Sequence, residues 1–116
     1  MAKLDMNGAY TLTSDEIDRL VTRKSAGNYA LGYSKGTTFY VKYVGRADDD
    51  LNSRLKKWAG NYSEFKYSYA TSPKAAFEKE CKNYHDFGEN QSLENKIHPD
   101  RPNGTSWKCP VCDIFG

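Results

Sequence analysis

Apolar residues recur along this chain in two rhythms, and the switches between them mark out the elements. Thr13-Ser-Asp-Glu16 has capping-box spacing, with a hydroxyl and a carboxylate placed to serve the free amides of a first helical turn. Ile17, Leu20 and Val21 follow at helical spacing, and Ala26-Gly27-Asn28 closes that segment. The rhythm then changes. Residues 29–33 and 37–45 are dense in Tyr, Val, Phe and Thr around a Ser34-Lys-Gly36 break, which predicts a β-hairpin. With the pairing centred on Gly36, Tyr29 stands opposite Tyr43 on one side of the sheet; a bulge in the turn shifts the register by one and separates them. Asp48-Asp-Asp50 leads into Leu51, Arg54, Leu55 and Trp58, an amphipathic helix whose acidic residues sit at its positive end. Residues 64–70 predict a third strand, and Thr71-Ser-Pro73 opens a longer helix reaching about Phe87 and Gly88. A shorter helical piece is expected at 92–97, and the stretch beyond His98-Pro99 is rich in Pro and Gly. The expected order is α-ββ-α-β-α-α, an α+β fold with a small three-stranded mixed or antiparallel sheet flanked by helices.

Composition narrows the classes. A length of 116 residues is one domain's worth, read as a single domain over 1–116 with its core at 25–97 and an irregular tail at 98–116. Apolar residues at 38% supply one modest core, while 14% aromatic residues and a net charge of +2 exclude a disordered chain. With 28% charged residues and no long apolar run, a membrane span is excluded as well. A balance of 17 basic to 15 acidic residues neither establishes nor rules out a nucleic-acid partner. The opening Met-Ala-Lys-Leu-Asp lacks the apolar core of a secretory signal, so a cytoplasmic setting is expected.

One ordered set of residues carries chemistry. Gly27-Asn28-Tyr29, then Tyr43-Val44-Gly45, then Arg54 in the next helix, Glu80 in a later one and Asn95 beyond it resembles the GIY-YIG nuclease superfamily over roughly 27–95. The resemblance implies an endonuclease that hydrolyses phosphodiester bonds, DNA being favoured over RNA, with one divalent cation, Mg²⁺ or Mn²⁺, held by one glutamate. It makes Tyr29 the general base or water-positioning phenol with Tyr43 assisting. Arg54 falls on the scissile phosphate, Glu80 on the cation, and Asn95 on a supporting hydrogen bond. The chemistry is coherent: phosphodiester cleavage needs a deprotonated water, an offset for phosphate charge and a stabilised leaving oxygen. Arg46, Lys56 and Lys57 join Arg54 as candidate backbone contacts. The chain departs from the family at two points. Asn28 stands where the central Ile of the first motif is usual, and is expected to point away from the core or into a cap. Trp58, with Lys57 beside it, stands about one turn after the arginine, where His, Tyr or Lys is frequent. Lys57, Tyr62 and Arg46 are candidates for a fourth catalytic side chain.

Helical geometry chooses between Glu80 and its neighbour Glu78. At about 100° per residue, Glu80 lies about 60° from Phe77 at the border of the apolar stripe, whereas Glu78 lies about 100° away on its outer flank. A carboxylate beside an apolar face needs a reason to be there. The family's Ala four residues before its Glu falls on Ala76, which agrees.

A second constellation is independent of the first. Three cysteines is an odd number, and in a reducing compartment the Cys109-Pro-Val-Cys112 pair points to metal before disulfide. Cys81 and His85 are four apart on one helix and differ by about 40° around its axis. With Cys109 and Cys112 they complete a Cys₃His set for a structural Zn²⁺, pinning the tail to the helix that carries Glu80. His98 reads as an exposed loop histidine, the alternatives being the rim of the site or the place of His85 on zinc. The rival to the enzyme is a non-catalytic nucleic-acid-binding or protein-interaction module on the same fold, which Asn28 and Trp58 keep open. A zinc-ribbon-like adaptor would need the catalytic residues scattered. A protein partner or an oligomer is compatible with the chain but not indicated by it.

Overall fold

The computed structural model describes residues 6–87 and 93–94. In chain order the elements are β1 (Asn7–Thr11), α1 (Ser14–Leu20), β2 (Gly27–Lys35), β3 (Thr38–Ala47), α2 (Leu51–Lys56), β4 (Glu64–Tyr69) and α3 (Pro73–Asp86). The fold is α+β, with a wholly antiparallel sheet in the order β1-β4-β2-β3. Among the described residues there are four strands instead of the expected three. The extra strand, β1, begins Asn7-Gly8, which by itself is turn chemistry, and only Ala9 and Tyr10 are half-buried. Its place comes from pairing with β4 and from the Tyr10 ring, which meets Phe65 and Tyr67 at 5.8 and 6.1 Å. Of the helical piece expected at 92–97, only Leu93 and Glu94 are among the described residues; the tail at 98–116 lies outside them.

Each helix starts on a side-chain cap. Thr13 Oγ1 accepts from the Glu16 N–H at 3.2 Å, Asp50 Oδ1 from Ser53 N–H at 3.3 Å, and Ser72 Oγ from Ala75 N–H at 3.1 Å, with Pro73 in the first turn. The reciprocal half of the first capping box is replaced by an ion pair: the Glu16 carboxylate takes Arg19 Nε at 2.7 Å.

The hairpin register differs from the expectation in a way that matters for the site. The turn closes on Gly36 and Thr37, so Lys35 pairs with Thr38, and β3 carries an additional residue at Lys42, between Val41 opposite Gly32 and Tyr43 opposite Leu31. Tyr29 therefore stands opposite Gly45, not Tyr43. The turn shifts the register by one and the bulge by one more. Two shifts restore the face, because side chains alternate with a period of two. Tyr29 and Tyr43 thus share a face as diagonal neighbours.

That face of the sheet packs on α1 and α2 through Tyr29, Leu31, Phe65 and Tyr67 against Ile17, Val21, Leu51 and Leu55, all buried. The opposite face holds Ala30 and Val44 against Tyr84 of α3 and Leu93. The edge strand β3 lies between the two layers at its Gly45–Ala47 end, and the candidate chemistry gathers there.

Candidate functional site

Tyr29 starts from the central strand β2 yet reaches the edge of the sheet. It does so across Gly45: a Cβ at that position would overlap the Tyr29 ring and hydroxyl, so only glycine leaves the path open. Gly27 is constrained similarly, since a Cβ there would press on the Ser68 carbonyl at 2.5 Å and on Leu51 Cδ2 at 2.7 Å. Both motif glycines are thus clearance positions, Gly45 for the Tyr29 side chain and Gly27 for the approach of β4 and Leu51.

The result is a depression of about 240 Å³ lined by Tyr29, Tyr43, Gly45, Arg46, Asp48, Arg54 and Glu80. Tyr29 and Tyr43 arrive from the hairpin, Arg54 from α2 and Glu80 from α3, so two helices and two strands meet around one space. Glu80 is only 8% exposed and lines the depression, whereas Glu78 is half-buried and outside the lining. Its Oε1 accepts from Arg46 Nη1 at 2.5 Å, and Arg46 Nε reaches Asp48 Oδ1 at 2.9 Å. Burial alone would lower the Arg46 pKa, but the Glu80 and Asp48 carboxylates outweigh it and hold the guanidinium firmly charged. Arg46 lines the site as an internal counter-charge rather than as a free surface cation.

The Tyr29 hydroxyl is nearly buried, and burial pushes its pKa well above the ordinary phenol value. Two groups pull the other way: the Trp58 indole N–H, which donates to the phenol oxygen at 2.9 Å, and the Arg54 charge. Tyr43 is half-buried and is likewise shifted upward, first by burial and then by Glu80, with Arg54 opposing. Trp58 sits one turn after Arg54, so both face the same way from the end of α2. Its ring also packs at a tilt against Tyr43, with centroids 4.6 Å apart, and against Tyr62 at 6.0 Å.

Asn28 does not point away from the core or into a cap. It is fully buried, and its Nδ2 donates to the Ala76 carbonyl of α3 at 2.8 Å. The expectation fails because an even-numbered residue of β2 faces α3, where a helix carbonyl has a second lone pair to offer. Among the described residues Asn28 Oδ1 has no hydrogen-bond partner. The bond anchors α3 one turn before Glu80.

The remaining candidates disperse. Lys56 leaves the site to pair with Asp18 of α1 at 2.6 Å. Lys57 borders a neighbouring depression of about 210 Å³ with Asp48, Asp49, Asp50 and Arg54. Tyr62 lies in the aromatic cluster and donates its hydroxyl to Glu94 Oε1 at 2.6 Å, outside the lining. Cys81 is buried and His85 half-buried on α3, while Asn95, His98, Cys109 and Cys112 lie outside the described residues. Among the described residues no three His, Cys, Asp or Glu side chains gather as a metal-holding group.

Two participants escaped the sequence. Asp48 binds Arg46 and lines the pocket rather than capping α2, a role signalled only by its place two residues beyond Arg46 at the strand end. Trp58 donates to Tyr29 across 29 residues of chain, and its spacing one turn after Arg54 signals only that the two share a face. Two carboxylates line the depression, Asp48 and Glu80, and Arg46 bridges them. The chain matches no family model, no curated protein and no solved structure.

Proposed function

We propose that this chain is a metal-dependent endonuclease of the GIY-YIG type, hydrolysing phosphodiester bonds in nucleic acid, DNA foremost. The observation that carries this reading is the meeting of Tyr29, Tyr43, Arg54 and Glu80 around one open depression of about 240 Å³. Glu80 would hold the Mg²⁺ or Mn²⁺, with Asp48 as a further oxygen donor, and the ion would supply charge to offset the developing phosphorane and acidify water. Arg54, exposed at the rim, binds the scissile phosphate. Tyr29 Oη orients the attacking water, and its phenolate form takes the proton. Trp58 fixes that oxygen by its N–H, and Tyr43 closes the side of the site facing the aromatic cluster. The other set, Cys81 and His85 with Cys109 and Cys112, is assigned to a structural zinc that steadies α3.

The test is cleavage of labelled branched, nicked, single-stranded and duplex DNA with added Mg²⁺ or Mn²⁺, comparing the unaltered protein with Glu80→Ala. Metal-dependent cutting by the former alone supports the enzyme. Binding by both with cutting by neither replaces it with a non-catalytic module on the same scaffold.

A further inference from the structure

Around the hairpin turn residues 33–38 are exposed, while Phe39 and Val41 pack against the cluster of Ala30, Val44, Tyr84 and Leu93. There Tyr33 and Tyr40, register partners across the two strands, stack with ring centroids 5.2 Å apart at 25°. They are 40% and 43% exposed, so two large rings stand partly in water. By the register, Tyr33 lies on the same face as Tyr29, and Tyr40 on the same face as Tyr43. The rings therefore continue the face of the candidate site outward. Four residues along β2 separate Tyr33 from Tyr29, about 13 Å at ~3.3 Å per strand residue.

On the hairpin itself the charge has one sign, while Glu64 of β4 stands opposite Gly32, next to Tyr33. From Gly27 to Ala47 the chain carries Lys35, Lys42 and Arg46 and no Asp or Glu. Lys42, the bulge residue, places its ammonium 5.7 Å from the Tyr33 ring centroid. Glu94, whose backbone N–H meets the Lys42 carbonyl, turns its carboxylate to the Tyr62 hydroxyl. Exposed aromatic faces beside lysines, without acidic neighbours on the same hairpin, match a polymer of flat bases and phosphates.

We infer that Tyr33 and Tyr40 form a stacking platform for unpaired bases of a single-stranded segment, with Lys42 on its phosphates, and that this segment leads to the scissile phosphate. The inference deepens the nuclease reading, on which the second half rests, by naming the substrate class: DNA with a single-stranded arm. Bases within a duplex are already stacked on one another and present no face to these rings, whereas unpaired bases do.

The experiment measures affinity by fluorescence anisotropy for labelled single-stranded and duplex DNA of equal length, without added Mg²⁺ or Mn²⁺ and without a chelator that would strip a structural zinc. The same protein preparations are then assayed for metal-dependent cleavage of a duplex with a single-stranded arm. Single strands are expected to bind more tightly than duplex. The Tyr33→Ala/Tyr40→Ala double variant should lose about 10- to 100-fold in single-strand affinity, while Tyr33→Phe/Tyr40→Phe, which keeps the π faces, should retain it. Lys42→Gln should lower the slope of log affinity against log salt by about 0.7. Unchanged single-strand affinity in the double alanine variant, with an unaltered thermal melt, overturns the platform. So does sedimentation showing a dimer that the same variant abolishes, because the rings are then an interface between copies. Loss of binding in the variant with no cutting by the unaltered protein leaves the platform standing and removes the nuclease. Cutting with no effect of the variant does the reverse.

Discussion

In the proposed reaction the chemistry turns on Tyr29, whose oxygen is under opposed influences. Burial holds the proton on; the Trp58 N–H at 2.9 Å and the Arg54 charge favour its loss. Because burial prevails, the phenol is neutral at pH 7, and the fraction able to accept a proton grows about tenfold per pH unit. Single-turnover cleavage should accordingly rise with pH from 6 to 9 with a log slope near one; a plateau centred near pH 7 contradicts a phenolate base. Trp58→Phe keeps a ring against Tyr43 but removes the donor. It should slow cleavage about tenfold at pH 7 with KM nearly unchanged and delay the rise toward alkali, since a hydrogen bond to a charged group is worth about 1.5–3 kcal/mol against one to a neutral oxygen of about 1. That Tyr29, Tyr43, Arg54 and Glu80 belong together was legible through the resemblance of their order to a nuclease motif set, with helical phase separating Glu80 from Glu78. The structure brings the four around one depression. The place of Asn28 was not legible, since its partner Ala76 lies 48 residues away and no local pattern announces it.

At the scale of elements, the site depends on two strands and two helices keeping their phase. The hairpin shows how narrow the tolerance is: one shift at the turn puts Tyr43 on the wrong face, and the Lys42 bulge returns it. The strands themselves were readable from Tyr, Val and Thr density, but the bulge was not, because an extra residue leaves no mark in a run that is apolar on both sides. β1 was unreadable for a different reason, being an edge strand with turn-forming residues that β4 recruits. Gly45 is the joint between strand and site. Gly45→Ala places a methyl on the Tyr29 ring, and the ring must move. Overpacking of this kind costs roughly 1–3 kcal/mol, visible as a lower denaturation midpoint. Cleavage should fall at least tenfold beyond any fraction unfolded; a variant with native stability and activity would show that Tyr29 does not cross at this point. On the far face, α3 is set by Asn28 to Ala76, by Lys79 to Ser68 at 2.9 Å and by Arg46 to Glu80, three polar ties that fix the depth of the carboxylate.

Over the whole molecule, the density of tyrosine shapes stability as well as chemistry. Burial raises the pKa of Tyr29, Tyr43 and Tyr67, so the unfolded chain releases these protons near pH 10 while the folded chain retains them. The folded state then binds more protons than the unfolded one. Its stability is intact below about pH 10 and falls as pH rises beyond it, by up to ~1.4 kcal/mol per unit from Tyr29 alone. Urea midpoints at pH 8, 10 and 11 should decline only above the second value; a constant midpoint would place the phenols in water. The proposed zinc would be a second whole-molecule property, joining α3 to the tail. Metal analysis of the purified protein should give one zinc per chain, and Cys109→Ser should abolish it and lower the melting temperature; a metal-free protein of equal stability removes that assignment. No helix among the described residues is long and apolar enough to cross a membrane. The central claim is that one carboxylate, one arginine and two phenols act together on a phosphodiester. The most direct measurement is the single-turnover cleavage rate of labelled DNA at saturating protein with Mn²⁺, for the unaltered chain and for Glu80→Gln. The account predicts metal-dependent cutting that the substitution slows at least a hundredfold while DNA binding persists. Equal rates for the two proteins, or no metal-dependent cutting by the unaltered chain on any of the four DNA forms, would contradict it.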